Sequence, residues 1–240
     1  MSDIKKFNIE KIERVKKYNV RSKIFKSALS FYSISSKEKY TYNFNWLGMP
    51  IIQFPQDILT VQEIIYNTRP NIIIETGIAR GGSLILHSSL MSLFQNKSHV
   101  IGIDEDIRAH NRKKIEDHIF SKNISMIEGD STSDATIKKV RKILSSLKFL
   151  KKKIMVCLDS NHTHDHVLKE LYLYSQFVSK NCYLVVFDTT HNLLPSKEIK
   201  KLSKHYRFKP FGKNSNPHSA VKEFIKKNKN FQIDTFLHKK

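Results

Sequence analysis

Five short apolar runs, each followed by a segment long enough for a helix, constrain this chain more than any other feature. They are Asn71–Glu75, His99–Asp104, Ile124–Glu128, Lys153–Asp159 and Tyr183–Asp188. Strands without polar alternation are covered on both faces, and helical spacers join them as parallel βαβ units. The spacers read as helices over Ser83–Phe94, Ile107–Phe120, Asp134–Leu147 and His164–Ser179. The expected fold class is therefore α/β: a Rossmann-like, doubly wound, mostly parallel sheet. Residues 43–240 are expected to form this single domain, and residues 1–42 a basic, helical N-terminal extension. A partial helical stripe of Ile9, Ile12, Val15, Ile24 and Phe25 supports that extension. Between the two lies an aromatic segment, Tyr40–Pro55, with turns at Gly48 and Pro50. A helix over Asp57–Thr68 then ends ahead of Pro70. Downstream, a helix is expected from Ala220 and a last strand over Phe231–Phe236.

Composition narrows the class. Hydrophobic residues make up 40% of the 240, enough for a sizeable core and too many for a disordered or fibrous chain. No apolar run approaches the roughly 18 residues of a spanning helix. The first 20 residues carry charge throughout and hold no apolar core of a secretory signal. Cys157 and Cys182 form no disulfide framework, so a reducing cytoplasm is the expected compartment. The net charge is +20, of which +7 falls in residues 1–42, +10 in 196–240 and +3 between them. Such ends attract polyanions. Anionic glycans and the inner face of the membrane, touched peripherally, suit them at least as well as nucleic acid. Lysine-rich solvated helix faces would account for the same charge without a partner.

The chemistry gathers where the runs end. The first leads through I-I-I-E-T-G-I-A-R-G-G-S, Ile72–Ser83, into a helix. Gly77, Gly81 and Gly82 would let a ligand approach the backbone closely. The spacing is neither G-x-G-x-x-G nor a P-loop. Glu75, pointing into the crevice, would repel a pyrophosphate but suit the amino group of S-adenosylmethionine. Asp104 ends the second run and suits a ribose diol. Asp130, in I-E-G-D-S, stands where an adenine amino group is read. Strand-end acids also cap helices, but three in register on successive strands form the pattern of S-adenosylmethionine-dependent methyltransferases. Gly81, Ser83 and Ser131 join the expected cofactor-binding set.

The fourth run ends C-L-D-S-N-H-T-H-D-H and the fifth V-V-F-D-T-T-H. Asp159 and Asp188 would then be neighbours on one rim, two hard oxygens suited to Mg²⁺. Such a metal lowers the pKa of a substrate hydroxyl, and a histidine takes the proton. His162 is the expected base. His164, His166 and His191 lie close by in sequence, although each also reads as a polar cap. H-E-x-x-H and an H-x-D pair are both absent, which argues against zinc or iron.

Taken together, the blocks W-L-G-M-P-I-I-Q-F-P-Q-D near Trp46, I-I-E-T-G-I-A-R-G-G-S, I-G-I-D-E-D-I-R-A-H-N-R, I-E-G-D-S-T-S-D-A-T and L-D-S-N-H-T-H-D-H-V-L resemble one family. It is the cephalosporin hydroxylase / rhamnosyl O-methyltransferase family, over about Phe44–Pro195 and more weakly Asn216–Phe224. The resemblance implies a class I methyltransferase fold, S-adenosylmethionine and, in several members, Mg²⁺. By position Glu75, Gly77, Asp104 and Asp130 match its cofactor pocket, Asp159 and Asp188 its metal ligands, and His162 its D-S-x-H pattern. One departure stands out: Phe187 replaces the acidic residue expected before Asp188. The tail also stops before the family's final strand.

The expected function is Mg²⁺-assisted O-methylation of a sugar hydroxyl on a glycan, a nucleotide-sugar or a natural-product glycoside. A catalytically silent basic binding module is the alternative that Phe187 favours. A hydroxylase, as one family label suggests, would need a redox fingerprint that the chain lacks. Asp188 is followed by Thr189 and Thr190, so the D/N-P-P-Y signature of base-directed methylases is missing and no specific nucleic acid is expected. Trp46 and its aromatic neighbours are a candidate contact with a second copy.

Overall fold

The computed structural model describes residues 2–203 and 212–239; the side chains of His191, Glu198 and residues 201–203 fall outside that description. The chain opens with α1 (Asp3–Lys17) and α2 (Lys23–Lys37). The Ser22 hydroxyl caps α2 by accepting from the Phe25 amide at 3.3 Å. A 3₁₀ turn, Tyr40–Asn43, leads into an antiparallel hairpin of β1 (Phe44–Trp46) and β2 (Met49–Ile51). Trp46 pairs with Met49, leaving a two-residue loop of Leu47 (φ 47°) and Gly48 (φ 86°). Positive φ at both loop positions is what the twist of a tight hairpin demands. Gly48 is thus a turn residue as expected. Pro50 is not: it pairs with Asn45 inside β2, in a hairpin strand where its missing N–H is tolerated.

The helix α3 (Pro55–Thr68) starts on a proline and ends at Arg69, whose left-handed backbone precedes Pro70. Alternation then follows as the apolar runs require. The elements are β3 (Ile72–Thr76), α4 (Gly82–Ser92), β4 (His99–Asp104), α5 (Ala109–Glu116), β5 (Ile124–Glu128), α6 (Asp134–Ser146), β6 (Ile154–Leu158), α7 (His164–Ser175) and β7 (Leu184–Val186). The strands lie in the order β5-β4-β3-β6-β7, and every pairing is parallel.

Strand alternation sends side chains to two separate cores. Ile73, Val100, Met155 and Cys157 join Ile64, Ile65 and Leu84 from α3 and α4. Ile72, Ile74, Ile101, Ile103, Val156 and Leu158 join Val140, Leu171 and Phe224 on the other face. The sheet is therefore doubly wound. Ten consecutive residues of α4, Gly82–Met91, are buried, because the sheet covers one side and the hairpin the other. The Trp46 indole N–H donates to Ser89 at 2.9 Å, which packs this tryptophan against α4 of its own chain.

Beyond β7 come a 3₁₀ turn (Thr189–Leu193), α8 (Ser196–Ser203), α9 (Pro217–Lys227) and α10 (Thr235–Lys239). The expected strand over Phe231–Phe236 does not form. The Asp234 carboxylate accepts from the amides of Phe236 and Leu237, both at 3.0 Å. That cap starts a helical turn in the middle of the apolar run. Among the described residues no helix is long and apolar enough to cross a membrane.

Candidate active site

Strand order reverses at β3, which has β4 on one side and β6 on the other. Such a switch point opens a crevice at the carboxyl ends of the strands. A cavity of about 360 Å³ lies there, with Gly77, Asp104, Asp130, Ser131, Asp159 and His166 among its lining residues. That volume falls in the range of small-molecule sites.

Glu75, Gly81 and Ser83 are not part of the lining. Nor are the three acids in register: Glu75 pairs with Gly102, and Asp104 with Glu128. Each therefore stands two residues further along than the one before. Glu75 shares its strand face with Ile73 and is 0% exposed, so it points beneath the crevice toward α4. Its Oε2 lies 3.5 Å from Nε2 of the equally buried His87. Neither carboxyl oxygen has a hydrogen-bond partner of good geometry. Burial pushes Glu75 well above the usual carboxylate range, with the Ser83 hydroxyl opposing and the Asp159 and Asp104 charges adding. Burial lowers His87 to about 4. Both shifts favour the uncharged forms, in which Glu75 would be the donor to His87.

The glycines answer to the protein's own backbone. Gly77 has φ 90°, and a Cβ there would sit 2.1 Å from the Asp159 carbonyl oxygen. A Cβ on Gly82 would meet the Pro50 carbonyl at 2.3 Å. The crevice loop thus rests on β6 and on the hairpin. Asp104 secures it from the third side: Oδ2 accepts from the amides of Ile78 (2.8 Å) and Ala79 (3.1 Å). The Asn111 amide donates to the Ala79 carbonyl at 3.0 Å.

Asp130 accepts from both the amide and the hydroxyl of Thr132, at 2.7 and 2.9 Å. Partial burial raises its pKa, but those bonds and the fields of His166 and Lys169 outweigh it, and the net shift is downward. Ser131 meets His166 Nε2 at 3.1 Å. The same nitrogen lies 3.2 Å from Ser160 Oγ, which donates to the buried Glu170 at 2.7 Å. This network ties the ends of β5 and β6 to α7. His164 faces away, contacting Ser219 at 2.8 Å and Glu223 at 3.1 Å, and so fastens α9 to α7.

Asp159 and Asp188 do meet at one corner, with His162 between them. Their ligand atoms all lie within 4.8 Å of one another. His162 Nε2 is 2.9 Å from Asp188 Oδ2 and 3.9 Å from Asp159 Oδ1. Asp188 holds a left-handed backbone, φ 55°, which aspartate tolerates better than most residues. Burial opposes charge on His162, but Asp188 and Asp159 prevail and raise it to about 10. Burial also raises Asp159 to about 6, assisted by Asp188 and opposed by hydrogen bonds from His162 and Gln53. The corner carries more negative than positive charge, and the imidazolium serves as an internal counter-ion. Phe187 is 9% exposed within the apolar core, so packing occupies the position where an acid was expected. His191 lies outside the described side chains.

Three neighbours of this corner escaped the sequence reading. Desolvation first, then the Asp188 and Asp159 charges, push Asp57 upward, a shift its exposure to solvent tempers. Tyr32 of α2 is raised by burial and by Asp188, and it bonds the Thr190 side chain. Gln53 is 6% exposed and reaches Asp159 as a donor. All three come from residues 32–57, a stretch with no strand-end signature.

A doubly wound parallel sheet with acids on its carboxyl rim defines the class: a Rossmann-like domain of the class I methyltransferase type. The chain belongs to the rhamnosyl O-methyltransferase/CmcI family, whose model matches residues 38–240. It is 28% identical over 153 residues to a rhamnosyl O-methyltransferase of Mycobacterium leprae, covering 62% of this chain and 63% of that relative. A Mycobacterium tuberculosis counterpart is 26% identical over 153 residues, with coverage of 62% and 60%. The match spans less than two thirds of either relative. A solved CmcI structure with Mg-SAM aligns at 17% identity and TM-score 0.48, covering 77% of this chain and 67% of that one.

Proposed function

We propose that this chain is an S-adenosylmethionine-dependent O-methyltransferase, assisted by a divalent cation, that acts on a sugar hydroxyl. The observation that carries the reading is the double position of Asp159. It lines the cofactor-sized crevice and is also a member of the carboxylate–imidazole corner. One residue thereby links a donor site to a site that handles an oxygen and a proton.

The residues fit both groups. Asp104 and Asp130 offer acceptors to the hydroxyl and amino groups of a nucleoside, and Gly77 forms the floor. Asp159 and Asp188 would hold the cation, which when bound lowers the pKa of the acceptor hydroxyl. S-adenosylmethionine supplies a methyl group displaced in line from its sulfonium, so much of the catalysis is alignment. His162 Nε2 is the atom placed to receive the hydroxyl proton. A charged imidazolium cannot accept one, so His162 acts as base only when another cation neutralises the two carboxylates.

Asp159→Asn should lower methyl transfer by roughly 100-fold or more while leaving S-adenosylmethionine binding measurable by calorimetry. Unchanged methyl transfer in Asp159→Asn would sink the assignment. Phe187 favours a second reading, a silent binding module. A mass gain of one methyl group on an isolated surface glycan separates the two. The basic ends would bring the enzyme to anionic surfaces that carry such acceptors.

A further inference from the structure

The Gln53 side chain is buried, reaches toward the Asp159 carboxylate, and has one atom that nothing satisfies. Its carboxamide N–H is the group that donates to Asp159. Its Oε1 is shut off from solvent and has no hydrogen-bond partner. A buried carbonyl oxygen without a donor is costly, and native structures keep few. On a side chain that bonds Asp159, a member of the carboxylate–imidazole corner, such an atom is an acceptor open to a ligand. A carboxamide oxygen is a hard, neutral donor of the kind Mg²⁺ and Mn²⁺ accept, directly or through a coordinated water.

Phe187 is packed into the core, so β7 contributes Asp188 to the corner without an acidic neighbour before it. Gln53 stands in the connection between β2 and α3. We infer that Gln53 is a residue of the divalent-cation site: its amide N–H orients Asp159, and its Oε1 faces the bound ion or that ion's water. This rests on the cation-assisted reading above and adds to it a neutral oxygen from outside the strand ends.

The test uses the full chain and Mn²⁺ alone as probe, followed by calorimetry and by thermal melting with and without the ion. Gln53→Leu fills similar space and removes both polar atoms; Gln53→Glu keeps an oxygen and adds charge. Gln53→Leu is expected to weaken Mn²⁺ binding roughly 10- to 100-fold, the range for residues that support metal ligands. Its metal-free melting temperature should not fall, because the unsatisfied oxygen is gone, while the rise on adding Mn²⁺ should shrink. Gln53→Glu should bind Mn²⁺ at least as well as the wild type. A purely structural glutamine would instead lower melting equally with and without the ion. Wild-type affinity in Gln53→Leu, alongside lost binding in Asp159→Asn, overturns this inference and leaves the cation reading standing. No Mn²⁺ binding by the wild type, with S-adenosylmethionine still bound, overturns both.

Discussion

At the scale of single residues, Gly77 is among the least replaceable positions. Its positive φ and the Asp159 carbonyl 2.1 Å from any added Cβ act together. Gly77→Ala should cost on the order of 2–4 kcal/mol, the sum of backbone strain and overpacking. Chemical denaturation would measure it, and a loss below 1 kcal/mol would mean the loop can shift freely. The Glu75–His87 pair makes a pH-dependent prediction. His87 titrates near 4 in the fold against 6.5 ordinarily. The unfolded chain therefore binds the extra proton first, and the stability due to a neutral His87, full above pH 6.5, is lost as pH falls toward 4. His87→Gln lacks that loss. The gap in unfolding free energy between wild type and His87→Gln should narrow as pH drops from 6.5 to 4, by about 1.4 kcal/mol per pKa unit at most. A constant gap would show that His87 charges freely in the fold.

At the scale of elements, the hairpin loop carries an avoidable strain. Leu47 is 55% exposed yet held at φ 47°, a region that costs a leucine about 1 kcal/mol or more. Leu47→Asn should raise stability by about 0.5–1 kcal/mol, read as a higher melting temperature. The strands were legible in the sequence because their runs are mostly apolar, most fully in β3 and β6, which are buried on both faces. Their rim acids were legible because parallel strands end on one side. What those acids face was not. Glu75 looked like a ligand contact until strand parity put it with Ile73, under α4. Gln53, Asp57 and Tyr32 gave no signal, since only tertiary packing carries residues 32–57 to the β6–β7 corner. The terminal apolar run misled because one aspartate cap outweighs a short stretch of strand-forming residues.

At the scale of the whole molecule, charge is divided from chemistry. The +7 and +10 of the two ends flank a middle of +3 that carries the crevice and its acid corner. On α1, Ile4 is 71% and Phe7 56% exposed beside lysines, which suits a headgroup region. The full chain should co-sediment with vesicles rich in phosphatidylserine at low salt and release at several hundred millimolar salt; equal binding to neutral vesicles would rule out an electrostatic contact. The crevice loop is seated on β6, on the hairpin and on Asp104 by the protein's own groups. It is a finished dock rather than a flap. On the proposed reading, a spent donor would be exchanged for a fresh one without the floor refolding between turnovers.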